Sequence, residues 1–209
     1  YAMVLAGAMP VYLDSYPLQP FAMYGAVPLR EIEERLLELK TAGKLDRVRM
    51  LLLTNCTFDG ITYDPEVVMR RVLAIKPDMI FLWDEAWFAF ARFNPLLRRR
   101  TGMEAAARLR AEIRSAEYRE RYRAKARAGE PLDGMPDPDN ARVRVYVTQS
   151  THKTLTSLRQ GSMIHVFDED FEQKASEPFH EAFMTHTSTS PNYQIIASLD
   201  VGRRQVELE

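Results

Sequence analysis

The residue best equipped for covalent chemistry is Lys153, which follows Ser150-Thr151-His152 at the end of the apolar, β-branched run that begins at Val145. A strand that breaks into small hydroxyl residues and hands on to a helix offers hydroxyls and free backbone N–H groups to an anion. Leu155 and Leu158 continue at helical spacing, so the stretch reads as strand, hydroxyl-rich turn and helix. A desolvated lysine amine at such a junction can capture a carbonyl compound as a Schiff base. The plainer alternative is an amphipathic turn carrying an exposed lysine.

Other polar residues follow apolar runs in the same way. Asp84 ends Met79–Trp83, and Asn55, Thr57 and Asp59 follow Val48–Thr54. Each has a plain explanation too: Asp84 as a helix cap, Thr57 and Asp59 as turn residues satisfying their own backbone. The hydroxyl cluster His186–Pro191 is open to the same explanation. The shared position after strand ends is what points to a site, because ligand crevices in parallel sheets lie beyond the carboxyl ends of the strands.

The elements that must position these residues read as a βαβ series. Val48–Thr54 and Met79–Trp83 are continuous apolar runs, the pattern of strands covered on both faces. Between them Asp64-Pro65 supplies a cap and a first-turn proline for a helix through Val67, Val68, Val72 and Leu73, stopped at Lys76-Pro-Asp78. Leu29–Thr41 is an amphipathic helix closed by Gly43. Tyr1–Met9 reads as the tail of a buried helix, Pro10–Leu13 as a short strand and Asp14–Pro28 as an ordered proline- and aromatic-rich loop. Arg98–Ala128 carries Leu109, Ile113 and Tyr118 among many charges and reads as a long exposed helix, returned to the sheet by the loop Gly129–Asn140. Met163–Phe167 is a strand; Phe171–Met184 and Tyr193–Leu208 are helices. The expected architecture is a three-layer αβα sandwich with a mostly parallel sheet.

Composition limits the function classes. The 209 residues carry a formal net charge of -1, which makes no case for nucleic acid or a membrane surface. The arginines of Arg98–Ala128 alternate with glutamates and lack an aromatic stacking series, so nucleic acid is not an expected partner. The single cysteine, Cys56, fits a reducing, cytoplasmic compartment. No run is long enough to span a bilayer. His165 and His180 read as structural, and the histidines and Cys56 lack zinc-ligand spacing, so no metal is expected.

Ser150-Thr151-His152-Lys153, with Leu155, Gln160, Ser162, Ile164 and His165, resembles the cofactor-lysine segment of the bacterial ornithine/lysine/arginine decarboxylases. These are pyridoxal-phosphate-dependent enzymes of fold type I, the aspartate-aminotransferase type. Asp84-Glu-Ala-Trp87 resembles the family's Asp-x-Ala-Trp or Asp-x-Ala-His element, and Asn55–Gly60 its Thr-Asn-x-Thr-Tyr-Asp-Gly turn. His186–Pro191 is similar to a His-Thr-x-Thr-Ser-Pro segment. The resemblance implies that Lys153 holds the aldehyde of pyridoxal 5'-phosphate, with His152 close to that bond and to the phosphate. It places Asp84 at the ring nitrogen, Ala86 on the ring face with Trp87 adjoining, and Ser150 on the phosphate. Thr57 and Asp59 would line the site, and Thr189 would reach a phosphate across a dimer interface. Residues 1–209 would be the central part of the cofactor-binding large domain, with a charged helical insertion at about 98–140. A Gly-Thr-Ser phosphate loop and a ring-stacking histidine are expected upstream of Tyr1, and a further domain after Glu209.

The implied activity is decarboxylation of lysine, ornithine or arginine in a homodimer or larger homo-oligomer. Two alternatives stand beside it: another reaction on the same cofactor, such as aminotransfer, or a non-catalytic module binding a partner or RNA through its arginine-rich helix.

Overall fold

The computed structural model describes residues 2–159 and 161–208. The apolar runs pair into one sheet in the order β1 (Met50–Thr54), β2 (Ile80–Asp84), β3 (Arg144–Ser150) and β4 (Ser162–Asp168). β1, β2 and β3 are parallel, while β4 returns antiparallel to β3. The three parallel strands therefore finish at one edge, where Thr54, Asp84 and Thr148 are ladder partners.

The crossovers between parallel strands are helical, as such connections require. α1 (Ala2–Leu5) and α2 (Leu29–Thr41) precede the sheet, and α3 (Pro65–Ile75) joins β1 to β2. The Asp64 side chain accepts a hydrogen bond from the Val67 N–H at the start of α3 and Pro65 occupies the first turn, as the sequence indicates. α4 (Gly102–Arg114) and α5 (Ala116–Ala128) lie between β2 and β3. Val68, Val72 and Leu73 of α3 and Ala105, Leu109 and Ile113 of α4 bury against Phe81, Trp83, Val145 and Val147 on one face of the sheet. α2 adds Ile32 and Leu36 to that core. On the other face, a π turn (Phe171–Ala175) leads into α6 (Ser176–His186), whose Phe179 ring lies 6.3 Å from Tyr146. α7 (Tyr193–Leu208) completes the chain. Helices on both faces of a mostly parallel sheet give the three-layer α/β architecture.

Four readings are corrected. Arg98–Ala128 is two helices broken at Ser115, whose side chain accepts from the Tyr118 N–H and caps α5. α4 belongs to the core, with Ala105, Ala106, Leu109 and Ile113 fully buried, because its small alanines let the helix settle close on the sheet. β1 is covered on one face only: Leu52 is 57% exposed at the edge strand, away from α6. Ala2–Leu5 is an exposed helical turn and not a buried tail, a short 3-10 turn follows at Gln19–Phe21, and Pro10–Leu13 forms no strand. Tyr1 lies outside the described residues.

Candidate active site

The shared strand edge is clamped beyond the ends of the strands. The Asn55 N–H donates to the Asp84 carbonyl at 2.8 Å, and the Glu85 N–H donates to the Thr148 carbonyl at 2.8 Å. The Asp84–Glu85 peptide is thus held from both neighbouring strands. Asp84 Oδ1 accepts from the Ala86 N–H at 3.0 Å, so the carboxylate is steadied by its own turn. Its Oδ2 has no protein partner among the described residues, which leaves one oxygen for a ligand.

Lys153 comes to the same edge. Its Nζ lies 5.5 Å from the centroid of the Trp87 ring, within cation–π range. The edge of Phe58, from the Asn55–Gly60 turn, meets Trp87 at 5.6 Å and 81°. Three separate segments, following β1, β2 and β3, therefore converge through Phe58, Trp87 and Lys153. Lys153 is exposed, so its amine is open to a reactant.

The helix expected after Lys153 does not form. Residues 151–159 are turns and bends, and the chain returns directly into β4 with Ser150 paired to Ser162. Thr154, Thr156 and Ser157 disfavour a helix through β-branching and competing hydroxyl bonds. No helix N-terminus stands at Ser150 to attract an anion. Gly161 closes the loop: its carbonyl takes the Thr151 N–H at 3.2 Å and faces His152 Nδ1 at 3.1 Å. A nitrogen facing a carbonyl carries the proton, which leaves Nε2 of a neutral His152 ring as the acceptor. A Cβ at Gly161 would come within 2.3 Å of Thr151 Oγ1, so the closure needs glycine. Gln160, part of the motif, lies outside the described residues.

The remaining sequence candidates differ in what holds them. Ser150 is half-buried at the end of β3. Thr57 accepts the Ile61 N–H of its own turn through its hydroxyl, and Asp59 accepts the N–H of the distant Tyr24, so both are engaged by backbone. Thr189 is exposed in the segment between α6 and α7, and the structure brings it to none of the other candidates. His165 is half-buried, its pKa lowered by burial, and its Nε2 lies 3.1 Å from Gln149 Oε1. Burial, and then the neighbouring Glu85 charge, push the Cys56 thiol up, which keeps it protonated.

Sequence reasoning passed over Glu85, the unspecified residue between Asp84 and Ala86. It is fully buried. Its Oε1 accepts from Asn55 Nδ2 at 2.9 Å and from the Gly102 N–H at 2.7 Å; its Oε2 accepts from Gln149 Nε2 at 3.0 Å. Burial raises its pKa above the ordinary glutamate value, against the lowering effect of the Asn55, Gly102 and Gln149 donors. The signal available in sequence was an acid directly after the strand-end acid, where alternation turns it to the opposite face.

On that opposite side, Gln149, Thr151 and His165 line a cavity of about 720 Å³ closed by α4 and α7. Lys153 and Asp84 do not line it. Among the described residues no cluster of three or more His, Cys, Asp or Glu could hold a metal ion, and no helix is long and apolar enough to cross a membrane. The donor set at the strand edge is an exposed amine, a carboxylate with one uncommitted oxygen, an indole face and the Ser150 hydroxyl. That set suits an aldehyde-bearing pyridinium ring with an anionic arm.

Known proteins are similar to this chain over nearly its whole length. Lysine decarboxylase LdcA of Pseudomonas aeruginosa is 32% identical over 99% of this chain and 24% of its own length. The biodegradative arginine decarboxylase of Escherichia coli is 32% identical over 95% of this chain and 23% of its own length. The solved structure of E. coli constitutive lysine decarboxylase superposes with a TM-score of 0.62 at 28% identity, covering 97% of this chain and 23% of that one. The chain thus spans about a quarter of the length of these relatives. The family described as Orn/Lys/Arg decarboxylase, major domain, matches residues 1–115 and 132–209, leaving unmatched only α5 and the turn after it. With its strand-edge site on a mostly parallel sheet and this match, the chain belongs to the Orn/Lys/Arg decarboxylase family.

Proposed function

We propose that the protein decarboxylates a basic amino acid (lysine, ornithine or arginine) to the corresponding amine and carbon dioxide, using pyridoxal 5'-phosphate. The observation that carries this reading is the meeting of Lys153 with Trp87, three residues beyond Asp84 in the segment Asp84-Glu85-Ala86-Trp87. When bound, the cofactor supplies a pyridinium ring that delocalises the electron pair left at the α-carbon when carbon dioxide departs, which no side chain can do.

The chain's own residues have the remaining tasks. Lys153 would hold the cofactor's aldehyde through its amine. Asp84 would hold the ring nitrogen through Oδ2, where a carboxylate favours the protonated ring. Ala86 and Trp87 pack against the ring and exclude water. Ser150 and His152, through its Nε2, take the anionic arm. Thr57, Asp59 and Thr189 are more distant members of the proposed site. A cytoplasmic homo-oligomer is the setting proposed for the whole protein.

The interaction-module reading loses support from the insertion itself. Arg119 and Arg123 meet Asp139, Arg121 meets Glu112, and Lys125 meets Glu130 and Asp133. A helix whose cations are matched by carboxylates has little charge left for RNA or an acidic partner.

The test is chemical trapping. The complete protein, incubated with pyridoxal phosphate and reduced with borohydride, should yield a pyridoxyl adduct on the peptide containing Lys153. An adduct on another lysine, or none on folded protein, would refute the assignment.

A further inference from the structure

Glu85 is the buried titratable group that the proposed reaction leaves unused. Two of its hydrogen bonds have a fixed sense. Asn55 Oδ1 accepts from the Tyr63 N–H at 3.1 Å and Asn55 Nδ2 donates to the Arg100 carbonyl at 2.8 Å, so the amide cannot be turned over. Asn55 Nδ2 and the Gly102 N–H are therefore both donors to Glu85 Oε1. The third bond can reverse. Gln149 stands between Glu85 Oε2 and His165 Nε2, and its amide can present either end to the acid as the histidine changes tautomer.

The cluster gathers every segment that builds the site. Asn55 follows β1, Glu85 follows β2, Gln149 lies in β3, and Gly102 opens α4. A Cβ at Gly102 would come within 2.8 Å of both Trp83 Cδ1 and Val147 Cγ2, so the helix start is pressed on the sheet at this point. Glu85 and Asp84 share the peptide clamped by Asn55 and Thr148. Displacing the Glu85 side chain displaces the backbone that carries Asp84.

We propose that Glu85 is a positioning residue for the active site: from the α4 side of the sheet its carboxyl ties the ends of the three parallel strands to the start of α4, and so fixes where Asp84 and Lys153 are presented. This rests on the roles proposed above for those two residues. The orientation of reacting groups is sensitive to such support, since a misplacement of about 1 Å can cost about 100-fold in rate.

Three variants of the complete protein test it: Glu85→Leu, Glu85→Gln and Gln149→Met. The cofactor affinity of each apoprotein is read by absorbance titration with pyridoxal phosphate, alongside kcat, KM and the melting temperature. Glu85→Leu should weaken cofactor binding about tenfold or more and lower kcat about 100-fold with a smaller change in KM. Glu85→Gln should recover most of both, because Gln149 can turn its amide to accept from the new one. Gln149→Met should fall between. A merely structural Glu85 would lower the melting temperature while the folded variant kept wild-type affinity and kcat, and that result would overturn the proposal. If Glu85→Leu does not fold, wild-type affinity and kcat in Gln149→Met overturn it equally. Failure of the wild type to bind cofactor would instead remove the reading of Asp84 and Lys153, and this proposal with it.

Discussion

Lys153 Nζ stands 5.5 Å from the ring of Trp87, although the two residues follow different strands. The contact is produced by the parallel pairing of β2 with β3, which brings the segments after both strands to one edge. An indole face beside an amine attracts it and restricts where it can point. Trp87→Leu should therefore retain the fold but lower kcat/KM about tenfold, corresponding to the ~1 kcal/mol of such a contact with further loss of ring packing. An unchanged kcat/KM would mean that Trp87 lies outside the site.

Asp84 has one oxygen engaged by the Ala86 N–H and one uncommitted. Asp84→Asn keeps the turn and removes the charge proposed to meet the ring nitrogen. Decarboxylation should drop about 100- to 1,000-fold, the scale of losing one preorganised electrostatic partner, with little change in melting temperature. A variant that lost stability but kept its rate would identify Asp84 as a cap and nothing more.

The burial of α4 can be tested by making a cavity. Leu109 is fully buried between α4 and the sheet. Leu109→Ala should lower the unfolding free energy by about 2–5 kcal/mol in urea titrations. A cost below about 0.5 kcal/mol, typical of a surface site, would contradict a core helix.

Much of the frame was legible because it is local. The Asp64-Pro65 cap, the periodic face of Leu29–Thr41 and the apolar strand runs are decided within a few residues of themselves, and each element is found where those signals lie. The burial of α4 was not legible, because alanines carry little hydrophobic signal and arginine stems conceal the apolar stripe. The loop after Lys153 was misread because Leu155 and Leu158 imitate a helix, whereas the direct pairing of Ser150 with Ser162 leaves the chain no room for one. The hydrogen bonds of Glu85 reach partners up to 64 positions away along the chain, and no local pattern marks the cluster.

The Arg144–Asp168 ion pair at the far end of β3 gives a pH dependence. Burial pushes the Asp168 carboxyl up, but the Arg144 guanidinium at 2.9 Å, the Asp170 N–H and the Tyr146 hydroxyl more than offset it, and its pKa falls below the ordinary aspartate value. A pKa lower in the folded state than in the unfolded chain (about 3.9) stabilises the protein above that pH, and the contribution fades as pH falls through the folded value. Asp168→Asn should lower stability by about 1–3 kcal/mol at neutral pH. The gap to wild type should close as the pH drops below about 4. Stability curves that stay parallel well below that pH would rule out the charge contribution.

The central claim is a carbon–carbon bond cleavage that depends on Lys153. The most direct measurement is release of carbon dioxide from carboxyl-labelled lysine, ornithine and arginine by the complete, cofactor-loaded protein and its Lys153→Ala variant. The account predicts release from at least one of the three amino acids and loss of that release in the variant. Loaded protein that frees no carbon dioxide from any of them, or a variant that matches the wild type, would contradict it.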